Sequence, residues 1–327
     1  MPLSHAAAPD AASCSASSAR LGEPLAGSAP VAARWLAIEQ PGPWGARALT
    51  SSHFPAELGR ALAHKAEAAG VRIALIRRPG HHAEHDSDAP RRIYFADTRP
   101  ERALAWSWTT ADPSTLLDLD FEVPGRPLHD GGPLLLVCTN GKRDRCCAVA
   151  GRALASWLAE DARTPTADIW ETDHLGGHRF APTALVLPTG YVHGRLQNPV
   201  EARDLLAKAA AGKVVTRHCR GRSTWSRPGQ AAELALREEL QEFAVDAVRV
   251  LGESRVPGPA ADRADGGEQA VHRYEVRLRA GEADYRALLE EAAAAEPRPE
   301  SCGKAFGTPL ELRVLGLEKT EQGERAQ

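Results

Sequence analysis

The stretch CTNGKRDRCC, residues 138–147, sets three cysteines among Lys142, Arg143, Asp144 and Arg145. Thiols placed this way could close a disulfide, do nucleophilic or redox work, or bind a metal; their partners decide. The strongest partner is HLGGH, His174 to His178, which begins 27 residues after Cys147 and follows a predicted strand. Histidines four apart share a helix face in zinc proteases. Here Gly176 and Gly177 disfavour helix, and the glutamate of that motif is missing. The pair reads instead as a tight loop that brings two imidazoles to one point. Two thiolates and two imidazoles make a Cys2His2 donor set.

That set admits several readings. In the plainest, the cysteines are buried, the histidines lie on the surface, and they share no task. A structural zinc ion accepts Cys2His2, but its usual thiol pairs are two to four residues apart, whereas seven or eight residues intervene here. A [2Fe–2S] cluster is wider than one ion, tolerates a longer loop, and is known with two histidines replacing two cysteines. Spacing alone leaves the last two level. The enzymatic alternative is a thiol–disulfide oxidoreductase using Cys138 with Cys146 or Cys147. Its spacing is far from Cys-x-x-Cys, and it leaves both histidines unused.

The flanking patterns supply the scaffold. RWLAIEQ (34–40) reads as a strand, PAELGRALAHKAEAAG (55–70) as a helix stopped by Gly70, and VRIALIRRP (71–79) as a buried strand. RRIYFAD and LAWSW extend that sheet, giving an N-terminal α/β domain over residues 14–127 after a flexible N-terminus, 1–13. A second domain, 128–227, opens with PLLLVC (133–138), followed by a helix bearing Ala150, Leu154, Trp157 and Leu158 on one face. DIWET and ALVLP are further strands, and Asn198, Pro199 and Gly212 bracket another helix. Cys138 therefore ends a strand and Cys146/Cys147 begin a helix, where free N–H groups favour anionic sulfur. Residues 228–327 read as a small α+β appendage of unknown role. It has a helix on Leu236, Leu240 and Phe243, a strand HRYEVRLR, a second helix EADYRALLEEAAAAE and a last strand LELRVLGL.

Bulk properties exclude several classes. The 327-residue chain carries a net charge of −3, against a nucleic-acid binder working through a broad basic surface. No apolar run is long enough to span a membrane, and the N-terminus lacks the basic start and apolar core of a signal peptide. Six cysteines at this length do not make a secreted disulfide scaffold, so a cytoplasmic, reducing location is expected.

CTNGKRDRCCAVAGRAL followed by HLGGHRFAPTALVLPTGYVHGRL resembles the sucrase/ferredoxin-like family, whose eukaryotic members include Apd1-type proteins. CSASSARLGEPLAGSAP and WLAIEQPGPWG look like its bacterial branch, and the resemblance covers roughly residues 14–227. The family implies a thioredoxin-like ferredoxin domain within an α/β chain, holding a [2Fe–2S] cluster for one-electron transfer with a redox partner protein, a reductase or an acceptor. Carried over residue by residue, it implies Cys138, His174 and His178 as ligands, with Cys147 as the second thiolate and Cys146 adjacent to it. Neutral imidazoles in place of two thiolates make such a cluster less negative and easier to reduce, and allow electron uptake to be coupled to proton uptake.

Other motifs carry less. His81, His82 and His85 beside Glu84 read as an exposed loop rather than a metal site. Cys14 reads as a lone surface thiol; Cys219 and Cys302 are single cysteines with no neighbouring ligand pattern and read as structural or incidental. Trp44 and Trp170 read as packing rather than electron relays. No carboxylate pair suggests glycoside hydrolysis, and no glycine loop suggests a nucleotide.

Overall fold

The computed structural model describes residues 13–80, 89–164, 168–257 and 271–320. Residues 1–12 of the expected flexible segment 1–13, and the histidines at 81, 82 and 85, lie outside the described residues, whereas Ser13 caps the first helix.

After a short helix α1 (Cys14–Arg20), the chain forms β1 (Arg34–Glu39), α2 (Ala56–Ala68), β2 (Val71–Arg77), β3 (Arg91–Asp97) and β4 (Leu104–Thr110). Next come β5 (Leu134–Cys138), α3 (Arg152–Glu160), β6 (Asp168–Thr172), β7 (Ala184–Leu187), β8 (Tyr191–His193), α4 (Pro199–Ala210) and β9 (Cys219–Arg222). A π-helical turn, Cys147–Gly151, leads into α3. The protein is α/β, built on one nine-stranded mixed sheet ordered β4-β3-β1-β2-β6-β5-β7-β8-β9.

That order contains a repeat. β1 and β2 are parallel with β3 and β4 added antiparallel beyond β1; β5 and β6 are parallel with β7 and β8 added antiparallel beyond β5. The two halves meet edge to edge through a short antiparallel pairing of β2 with β6, Ile76 with Thr172 and Arg77 with Glu171. The halves expected at 14–127 and 128–227 thus share one sheet. A buried ion pair marks the seam: Arg77 Nε and Nη2 each lie 2.8 Å from Glu171 Oε2.

Alternation along β5 assigns its faces. Leu135 and Val137 pack with Leu154 and Leu158 of α3 and Leu205 and Leu206 of α4. Leu134, Leu136 and Cys138 face the other way, onto a core that includes Cys14, Ala29 and Ala32 of the N-terminal segment. Cys138 is thus the last inward position of a fully buried strand. Asn198 caps α4, its Oδ1 accepting from Val200 N at 3.0 Å.

The C-terminal unit has α5 (Arg227–Leu240), β10 (Val248–Val256), β11 (His272–Ala280), β12 (Ala283–Ala293), a hairpin of β13 (Arg298–Pro299) and β14 (Phe306–Gly307), and β15 (Leu310–Lys319). Its four long strands form an antiparallel sheet, β10-β11-β12-β15, packed on α5 through Leu236, Val276, Leu278, Leu289 and Leu312. One expectation fails: EADYRALLEEAAAAE is the strand β12, not a helix. Its composition favours helix, but Ala287, Leu289 and Glu291 alternate inward between β11 and β15, and tertiary packing overrides propensity. Phe243 lies beyond the end of α5. Among the described residues, no helix is long and apolar enough to cross a membrane.

Candidate metal centre

β5 and β6 are parallel, so the segments leaving them emerge at one edge of the sheet. Cys138 ends β5 opposite Thr172, and His174 lies two residues beyond Thr172. The return from β5 into α3 is tight: Thr139 N donates to Thr172 O at 3.0 Å, and Asp144 N to Asn140 O at 3.2 Å. Gly151 permits it, because a Cβ there would stand 2.1 Å from Cys138 O. Asp144 fixes the loop, its Oδ1 accepting from Cys146 N at 2.8 Å.

The HLGGH segment is a loop, with φ of +78° at Gly176 and +69° at Gly177. The side chain of Arg220 supports it, donating through Nη1 to Gly176 O at 3.0 Å and through Nε to Ser28 Oγ at 3.1 Å. Burial pushes this guanidinium down to about 9. A Cβ on Gly177 would lie 2.4 Å from its Nη2, so a side chain there would have to push the buried guanidinium aside. The turn stacks the rings of His174 and His178, centroids 4.7 Å apart at 26°. Arg72 Nη2 donates to His174 O at 3.3 Å.

All four residues expected at the site come together. Cys147 Sγ lies 3.5 Å from His178 Nδ1, and Cys138, whose Sγ lies 3.9 Å from Asp173 O, is electrostatically coupled to both Cys147 and His174. The two thiols are buried, Cys138 at 1 % and Cys147 at 0 % exposure, whereas the imidazoles are half-buried. Only the histidine side of the group reaches solvent. Interaction between the two thiols pulls Cys138 well below the ordinary thiol value and holds Cys147 well above it. Burial first, then the charge of His174, lowers His178 and favours its neutral, metal-binding form. His174 Nδ1 is buried without a hydrogen-bond partner, an orphaned donor atom of the kind a metal would satisfy.

Cys146 turns away from this group. Its Sγ lies 3.2 Å from Cys302 Sγ and 3.6 Å from Cys14 Sγ, and Asp144 stands beside them. The ligand atoms of Cys14, Asp144, Cys146 and Cys302 all fall within 4.8 Å of one another, close enough to hold a metal ion. Sequence reasoning missed this second group. Cys14 is fully buried against these thiols and not the surface thiol expected; its place in the family-like CSASS segment was a signal, and Cys302 carried none. Cys219 is buried on β9, its thiol 3.6 Å from Val192 O and pushed up to about 12 by burial, as a packing residue would be. Trp170 packs under Arg78, whose guanidinium carbon is 3.8 Å from the ring centroid.

In comparison with known proteins, the family model described as sucrase/ferredoxin-like matches residues 25–221. No curated protein and no solved structure matches the chain.

Proposed function

Because the chain belongs to the sucrase/ferredoxin-like family, we propose that it is a one-electron carrier in which Cys138, Cys147, His174 and His178 hold a [2Fe–2S] cluster. The observation that carries this reading is the convergence of two buried thiols and two stacked imidazoles, one with an unpartnered buried nitrogen. Sulfur and imidazole donors suit iron, and the βαβ-ββ strand order of residues 134–193 is consistent with a thioredoxin-like ferredoxin domain. The cluster would supply reversible one-electron chemistry.

The chain's own residues set the conditions for that chemistry. Burial of Cys138 and Cys147 excludes water from the sulfur side. It also argues against thiol–disulfide exchange, which needs a sulfur that another protein can reach. His174 and His178 form the half-exposed side, where a proton can be taken up and where a redox partner protein can approach. Exposed Lys142 and Arg143 lie on the loop beside them and suit a partner with an acidic docking face. Six free thiols suit a reducing, cytoplasmic setting.

The test is chemical analysis of protein purified without oxygen. The proposal expects equal iron and acid-labile sulfide, with visible absorption that bleaches on reduction. A colourless chain holding zinc at these four residues would contradict it and leave a structural metal module.

A further inference from the structure

We infer that Cys14, Cys146 and Cys302, with Asp144, form a second metal site that takes one zinc ion and clamps the C-terminal unit to the cysteine loop. The three sulfurs form a closed triangle, with Cys146–Cys302 at 3.2 Å, Cys14–Cys302 at 3.5 Å and Cys14–Cys146 at 3.6 Å. A tetrahedral zinc with Zn–S bonds of about 2.3 Å spaces its sulfurs about 3.8 Å apart. The triangle therefore needs to open by only a few tenths of an ångström. Thiolates bound to different irons of a cluster stand much farther apart, so the group suits a single ion.

Asp144 completes the set. Its Oδ1 and Oδ2 lie 3.7 and 3.6 Å from Cys14 Sγ, close to the sulfur–oxygen spacing of about 3.5 Å in a tetrahedral zinc site. Its carboxylate is already held in place, accepting from Cys146 N at 2.8 Å, Cys302 N at 2.7 Å and Ser301 Oγ at 2.9 Å. Three soft sulfurs with one carboxylate favour zinc over copper(I), which prefers sulfur alone.

The topology gives the ion a task. Cys14 opens α1, Cys146 leads into the π-helical turn before α3, and Cys302 lies in the loop between β13 and β14. These segments are 132 and 156 residues apart in sequence, and one ion would join all three. A single disulfide could join only two of them and would leave the third thiol unused.

The test uses the full chain, purified without oxygen and iron-loaded, with metals counted by mass spectrometry. The proposal expects one zinc per chain that survives gel filtration. In Cys302→Ser and in Cys14→Ser, zinc should fall at least tenfold while iron and visible absorption remain. His174→Ala should do the reverse, so failure of this site and failure of the cluster reading give different results. Zinc absent from the unaltered chain and not taken up from added zinc chloride would overturn the proposal. So would zinc retained in both serine variants, or a disulfide found among these cysteines after anaerobic alkylation. If the variants do not fold, cobalt(II) added to the unaltered iron-loaded chain decides. Intense thiolate-to-cobalt charge-transfer bands support the site, and a weak octahedral spectrum overturns it.

Discussion

Cys146 and Cys147 are consecutive residues that serve different groups. Cys147 Sγ stands 3.5 Å from His178 Nδ1, while Cys146 Sγ stands 3.2 Å from Cys302 Sγ. A helical start makes this possible, because consecutive side chains on a helix point about 100° apart. One turn of backbone thus presents one thiol to the histidines and one to the C-terminal hairpin.

The glycines of HLGGH are predicted to be unequal. Both have positive φ, which costs a side-chain-bearing residue about 1–2 kcal/mol. At Gly176 nothing lies within 4 Å of an added Cβ, whereas at Gly177 it would strike Arg220 Nη2 at 2.4 Å. Gly177→Ala should therefore lower stability more than Gly176→Ala and reduce iron content several-fold. Urea midpoints and iron analysis on both variants check this; equal losses would contradict it.

The seam between the two halves depends on Glu171. This carboxylate receives Arg77 and also accepts from Thr139 Oγ1 at 3.0 Å, one residue past Cys138. Glu171→Ala leaves a buried guanidinium unpaired, an expected cost of about 3–5 kcal/mol. Urea unfolding should show that loss, together with weaker iron retention. A loss below about 1 kcal/mol would place the seam's stability elsewhere.

His193 gives a pH signature. It is buried on β8, and desolvation first, then the charge of His218, pushes it from the ordinary 6.5 down to about 3. Between those values the unfolded chain binds a proton that the folded chain refuses, so stability falls as pH drops through the window. The slope reaches at most about 1.4 kcal/mol per pH unit. His193→Asn should flatten it relative to the unaltered chain in urea titrations at several pH values; parallel curves would show that His193 does not contribute.

Much of this was legible in the sequence because the signals are local. An apolar run ending in Cys138, a helix start at Cys146, and two glycines between histidines each dictate backbone over a few residues, and those pieces converge on one sheet edge. The second group was not legible, because Cys302 reaches Cys146 only through a hairpin whose sheet sits 156 residues downstream. β12 was misread for a related reason: its alanine, leucine and glutamate composition favours helix, and only its neighbours β11 and β15 make it a strand. The internal repeat was hidden too, since it lies in strand order and not in residue identity.

The most direct test is electron paramagnetic resonance on the reduced, anaerobically purified chain labelled with 15N-histidine, resolving nitrogen couplings. The account predicts a paramagnetic signal coupled to two imidazole nitrogens in the unaltered chain, and loss of that signal in His174→Ala and in His178→Ala. A chain silent after reduction, or a signal free of imidazole coupling, would contradict histidine ligation of a redox cluster.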